Sequence, residues 1–419
     1  MNKKIILVSA LLIFSVALSA CAGLIGEEEP ITGEYGPNYS PKEHQQRTFD
    51  ALWENFSGAY IYFETANVDW DAIRDEYSTR ITAGLTNEEF IALMDEFEGE
   101  LPVGSLTYQS REERIRTDTE DPSIYEGIGA FVGFKAEDIP HIVVLGVIEG
   151  SPADKAGIQA HDSILKIDGN PVLLEEGINV VNRVRGPAGS SVTLHVQSPG
   201  EAARSIEVTR ARLISTGKLE SRQLPGSTYG YILFPPIGYE EMLEDVLGSL
   251  RDFTTNQKME GLILDLRVAG SSQGWPLEEL LTLFHDGGVG EFYNNLQQKQ
   301  QVSVQGEDFY SSQSVPLIIL VGQNTSGFPE ILAASLQAND RAILIGEITP
   351  GAIETTTSFY LPDGSRIFVE TTSFRLPNGD EIGTSGVSPD VLIEAGWDEV
   401  FPGNDPVLLH AIEVLGTGK

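Results

Sequence analysis

Between Val315 and Thr355 the apolar positions change period, and each change marks an element. Val315–Val321 is a continuous apolar run with β-branched residues, the pattern of a strand buried on both faces. Asn324-Thr325-Ser326-Gly327 is turn chemistry. Pro329 sits where the first turn of a helix tolerates proline. Ile331, Leu332, Ser335 and Leu336 then recur at helical spacing, and Ala342–Ile345 reads as a second strand. A loop that leaves the carboxyl end of a buried strand and enters a helix is where α/β proteins place nucleophiles and ligands.

The same periods organise the rest of the chain. From Glu43 to about Glu113 the pattern is helical: Phe49, Leu52, Trp53 and Phe56 fall at i, i+3, i+4 and i+7. Thr86 and Glu89 form a capping box that opens a helix with Phe90, Leu93, Met94 and Phe97 on one face. Tyr229–Phe234 reads as a strand. Glu240–Phe253 reads as a helix with Leu243, Val246, Leu247 and Leu250 aligned, and Gly261–Arg267 as a buried strand. A turn at Leu361–Ser365 leads into Arg366–Glu370, a hairpin-like pair, and Pro406–Leu415 is a terminal helix.

The frame Glu330-Ile331, Leu336-Gln337, Arg341-Ala342 and Gly346-Glu347-Ile348-Thr349 resembles the core of the C-terminal processing, or tail-specific, serine peptidases. Leu264-Asp265-Leu266-Arg267 resembles their LDLR signature, in which Asp and Arg brace the core, and Gly386–Val391 resembles their G-I-x-P-D. The resemblance implies a serine nucleophile three places before Glu330, where this chain has Gly327. It implies a lysine base about 25 residues on, where this chain has Ala352. A branch of these peptidases instead draws its base from a histidine after the amino-terminal helices, and there this chain has Ser105. The glycines after LDLR persist, which makes Gly270 a candidate oxyanion-hole donor. The frame is kept while each catalytic position differs.

Tyr125 to about Leu213 resembles a PDZ domain in Gly127–Phe131, Glu149–Ile158 and Asp162–Gly169. In that reading the backbone of Gly127, Ile128, Gly129, Ala130 and Phe131 holds a peptide's terminal carboxylate while the peptide adds as a strand. The helix near Gly177–Val184 forms the other wall. The bland alternative is a module that only packs against the core and gates it, with Phe131 as a core residue. His141, His161 and His195 lie here with no Cys or second His at metal spacing, so no metal or cofactor is expected.

Composition narrows the setting. The 419 residues carry 41% hydrophobic positions, 62 acidic against 27 basic residues and a net charge of −35, which argues against nucleic acid and anionic lipid as partners. Lys3 and Lys4 precede the apolar run Ile5–Leu18, whose 14 residues are short of the roughly 20 that a span needs. Leu18-Ser19-Ala20-Cys21 resembles a bacterial lipobox, which implies lipidation of Cys21, the only cysteine. The plain alternative is an ordinary signal peptide with an incidental cysteine.

The expected architecture is a multidomain α+β and α/β chain. It comprises a signal segment 1–20, a tether 21–42, an N-terminal helical region 43–113, a β-rich PDZ domain 122–213 and an α/β peptidase-like core 214–419. The expected function is an extracytoplasmic lipoprotein, facing the periplasm or cell exterior, that binds polypeptide C-termini or unfolded protein. It lacks turnover and scaffolds or regulates a partner protease. The rival is an endopeptidase that uses a displaced Ser326. Ser326 lacks an evident base: no lysine lies between Lys299 and Lys419, and His285 follows an apolar helix, as a surface residue near its end. Glu330, Glu347 and Glu354 serve only if burial raises their pKa. A third reading is a structural lipoprotein whose groove is filled by its own chain.

Overall fold

The structure is a computed structural model that describes residues 40–417 apart from 120–123, 138, 256–257, 273, 384 and 402; Cys21 and the segments around it lie outside the described residues. The chain divides into two compact units. One holds the residues up to Thr119 together with Thr356–Thr371, and the other holds Glu120–Thr355 and Thr372–Lys419.

In the first unit, helices Pro41–Ala59, Trp70–Thr82 and Asn87–Glu100 pack around an aromatic cluster. Phe49, Phe56, Tyr77 and Phe97 are fully buried there, with Phe49 edge-on to Phe97 at 5.6 Å between centroids. Thr86 and Glu89 form the expected capping box, and Ser40 with Glu43 forms a second. The helical pattern does not hold throughout. Leu106–Gln109 is a strand, antiparallel to 366–369, because its alternating buried and exposed positions fit a sheet. A further helix spans Arg111–Thr119. Asp118 accepts from Arg114 and Arg366 at 3.0 and 2.9 Å, which ties that helix to the hairpin strand.

In the second unit, the main sheet runs in the order 220–223, 229–233, 261–265, 317–321, 343–346, 391–392. The first pairing is antiparallel and the rest are parallel. All five residues of Gly261–Asp265 and of Leu317–Val321 are buried: Leu262–Leu264 and Leu317–Val321 are apolar, and Asp265 is paired with Arg267. Successive side chains alternate between two cores. Leu262, Leu264, Ile319 and Val321 face helices Met242–Thr255, Leu277–Phe284 and Phe328–Ala338. Ile263, Ile318, Leu320 and Ile345 face the helix Pro406–Thr417, Trp397, and Val143 and Leu145 of the β-rich module.

That module has the strand order 130–135, 141–147, 163–167, 191–197, 204–209. Its own core is built on Ile142, Ile164, Val192 and Leu194. The expected helix at 177–184 is a 3-10 turn, Leu174–Val180, kinked at Gly177 and followed by one helical turn, Val181–Val184. Gly177 at φ 50° and ψ −145° cannot continue a helix.

Candidate active site and peptide groove

The loops that leave the carboxyl ends of Gly261–Asp265 and Leu317–Val321 zip together. Thr325 Oγ1 accepts from Gly322 N–H at 2.9 Å and donates to the Leu266 carbonyl at 2.8 Å. Ser326 N–H donates to Ala269 O, and Ser271 N–H to Ser326 O, so Gly270 and Ser326 form a parallel bridge. This pairing delivers Gly327 to the N-cap of helix Phe328–Ala338, at the carboxyl edge of the sheet.

Gly327 has φ 73° and ψ −126°, the sharp strand-to-helix conformation in which a side chain is thrust outward. Position 352 arrives beside it: Ala352 O lies 3.6 Å from where a Cβ on Gly327 would stand. Fully buried Glu330 holds the two loops together. Its carboxylate accepts from Gly327 N–H at 2.9 Å, from Gly351 N–H at 2.7 Å and from the Thr349 hydroxyl. Burial raises its pKa, and the bonds from Thr349, Gly327 and Gly351 offset part of that rise. Every one of these contacts braces the loops, and none reaches Ser326.

Ser326 is half-buried, with Oγ 3.3 Å from where a Cβ on Gly270 would stand. Among the described residues no Lys, His or carboxylate hydrogen-bonds that hydroxyl. Burial raises the pKa of Glu347, whose carboxylate is met by Gln323 at 3.5 Å. Glu354 accepts from Ser373 Oγ at 3.1 Å. His285 is the C-cap of helix Leu277–Phe284, but its ring is half-buried rather than at the surface, and Nε2 is enclosed without a partner among the described residues. Ser105 is fully buried in the first unit. Its carbonyl accepts from Glu370 N–H, and its hydroxyl has no described partner.

Two backbone groups flank the Gly327 corner. Gly270 N–H makes no hydrogen bond among the described residues. Phe328 N–H donates to Ser271 Oγ at 2.6 Å. Sequence reasoning did not single out Ser271, because nothing local marks a serine that meets a loop 57 residues away.

In the β-rich module, Ile128 N–H and Gly129 N–H donate to no described residue. Their carbonyls accept from Ala153 and Ile148, which fixes the loop. Ala130–Lys135 is an edge strand, and the kinked turn 174–180 lies beside it with Leu174 and Ile178 more than half exposed. An edge strand, free N–H groups and apolar side chains opposite are the parts a carboxyl-terminal peptide needs. Phe131 is half-buried and packs on the core beneath the main sheet, so it also anchors the module.

One buried carboxylate is central to the docking of this module on the sheet domain. Asp398 is met by Lys135 Nζ and His141 Nε2, each at 3.0 Å, and by Ser163 Oγ at 3.4 Å. Its neighbour Trp397 stacks on His161 at 4.1 Å and donates its indole N–H to Val144 O at 3.2 Å. Burial raises the Asp398 pKa, but the bonds from His141 and Lys135 win and hold it at about 2. Beneath Trp397, buried Arg267 bonds both Asp265 and Asp405, so the LDLR pair is a brace.

Residues 228–393 match Peptidase family S41, 143–198 a PDZ domain and 41–99 the Tricorn protease C1 domain. The "Carboxyl-terminal-processing protease" of Picosynechococcus sp. is 31% identical over 360 residues, 81% of each chain. This chain belongs to the carboxyl-terminal-processing peptidases. The Synechocystis sp. "Carboxyl-terminal-processing protease" is 28% identical over 366 residues, 84% of this chain and 81% of that one. The fold is that of the photosystem II D1 C-terminal processing protease, with a TM-score of 0.63 at 22% identity over 83% of this chain and 92% of that one. At the mouth of the sheet the Ala352 carbonyl and the Ser271 hydroxyl both lie beside Gly327.

Proposed function

We propose that this peptidase-family chain captures polypeptide C-termini in its PDZ groove and does not cleave them. The observation that carries the reading is that positions 327 and 352 are neighbours and are glycine and alanine: the Ala352 carbonyl oxygen lies 3.6 Å from where a Cβ on Gly327 would stand. Acyl transfer through this corner needs a nucleophile at 327 and a base at 352 in hydrogen-bond reach, and glycine and alanine supply neither. The bridging backbone of Ser326 fixes its orientation, and its hydroxyl has no described base. In the groove, Ile128 and Gly129 N–H groups receive the terminal carboxylate, the peptide backbone pairs with Ala130–Lys135, and Leu174 and Ile178 contact an apolar side chain. The Cys21 lipobox supports anchoring of this module outside the cytoplasm, where it presents captured C-termini to a partner protease.

Calorimetry with the chain from residue 22 onward tests the groove. A peptide with an apolar, free carboxyl terminus is expected to bind, and its carboxamide form is expected to bind at least tenfold more weakly, since charge-assisted bonds contribute about 1.5–3 kcal/mol. Equal affinity for acid and amide rejects carboxylate capture in the groove.

A further inference from the structure

The first turn of helix Phe328–Ala338 has an unusual hydrogen-bond account. Gly327 N–H goes to Glu330 and Pro329 has none to give, which leaves Phe328 N–H as the donor that follows the nucleophile position. In acyl transfer through a strand-to-helix corner, that donor helps to hold the developing oxyanion. Here Ser271 Oγ takes it at 2.6 Å. The same side chain fills the space a residue at 327 would use. A Cβ on Gly327 would lie 2.1 Å from Ser271 Oγ and 2.6 Å from Ser271 Cβ, well inside contact distance. Ser271 is held in place by its own N–H bond to Ser326 O at 3.1 Å.

We propose that Ser271 seals the vacated acyl-transfer corner. Its side chain occupies the room of the absent nucleophile, and its hydroxyl satisfies the N–H that would otherwise wait for an oxyanion. Position 271 is thus a third determinant of this site, beside 327 and 352. Gly327→Ser with Ala352→Lys does not rebuild the centre on its own, because the new side chain collides with Ser271 and the donor remains occupied. Ser271→Gly removes both obstacles. The inference rests on the reading that the parent chain does not hydrolyse peptides.

The test uses an alkyl fluorophosphonate on the chain from residue 22 onward. The hydroxyl introduced by Gly327→Ser attacks phosphorus, the P–F bond breaks as the O–P bond forms, fluoride leaves, and the proton passes to the amine introduced by Ala352→Lys. Intact-mass spectrometry follows the adduct. The variant with Ser271→Gly, Gly327→Ser and Ala352→Lys is expected to label about 100-fold faster than the variant without the change at 271, the scale of one oxyanion-hole donor. Equal rates in the two variants overturn the proposal, and so does an absence of labelling in the triple variant. Labelling of the parent that disappears in Ser326→Ala instead sinks the functional reading, and leaves a distinct signature. A second measurement does not depend on how the reactive variants fold. In Ser271→Ala, the Phe328 amide is expected to exchange hydrogen about tenfold faster than in the parent, the loss of one hydrogen bond. Unchanged exchange at Phe328 refutes the seal.

Discussion

Replacing Asp398 with alanine tests how the PDZ module is held on the sheet domain. The carboxylate receives Lys135, His141 and Ser163, all from the module, and its side chain is only 10% exposed. Lys135 and His141 are themselves 12% and 8% exposed, so neither finds full hydration when the acceptor is removed. Lys135 keeps Glu137 at 2.9 Å and Glu399 at 3.7 Å, which softens its loss. Among the described residues His141 keeps only the Ile139 carbonyl at 2.8 Å. Removing one partner of a buried pair costs about 3–5 kcal/mol, and the remaining Lys135 partners place Asp398→Ala near the lower bound. That is a large fraction of a domain stability of about 5–15 kcal/mol. Asp398→Asn keeps the shape and one acceptor and is expected to cost about half as much. Urea unfolding followed by tryptophan fluorescence, with Trp397 stacked on His161 as a local reporter, measures both. An Asp398→Ala chain within about 0.5 kcal/mol of the parent refutes the argument, since that is the scatter of an ordinary surface change.

Two further outcomes follow from the same chemistry. Burial lowers the His141 pKa, but its bonds to Asp398 and the Ile139 carbonyl outweigh this and hold it above 6.5. Its contribution is therefore full below pH 6.5 and is lost as pH rises through the raised value, whereas that of Asp398 is full above pH 3.8 and is lost as pH falls toward about 2. The melting-temperature gap between parent and His141→Gln should narrow from pH 6 to pH 9, and a gap that widens over this range contradicts the assignment. Glu330→Gln places an amide where three donors converge, and should destabilise by about 1–3 kcal/mol and speed amide exchange at Gly351. Unchanged exchange there would show that Glu330 does not brace the two loops.

Elements set by local periodicity were legible in the sequence. The unbroken apolar run at 315–321 gave a central strand, Thr86 with Glu89 gave a helix start, and Gly127–Phe131 marked the turn before an edge strand. What stayed hidden depends on pairs distant in sequence. Leu106–Gln109 is a four-residue strand whose partner lies at 366–369, so its local pattern was lost among helices. Trp397 and Asp398 gain their roles only when the module packs against them, and His141 and His161 showed no spacing that would announce it. Gly327 and Ala352 could be placed by the frame around Glu330, but the side chain that fills their corner comes from the loop after Arg267. The identity of residue 327 is readable from one position; the side chain packed against it is a matter of folding.

The most direct measurement is turnover. An unfolded protein with an apolar carboxyl terminus is incubated with the chain from residue 22 onward, and with its Ser326→Ala variant, and the products are followed by intact-mass spectrometry. The account predicts that the substrate stays whole with both while its carboxyl terminus is bound. Peptide products from the parent that vanish in Ser326→Ala would contradict it and identify an active peptidase with a relocated nucleophile.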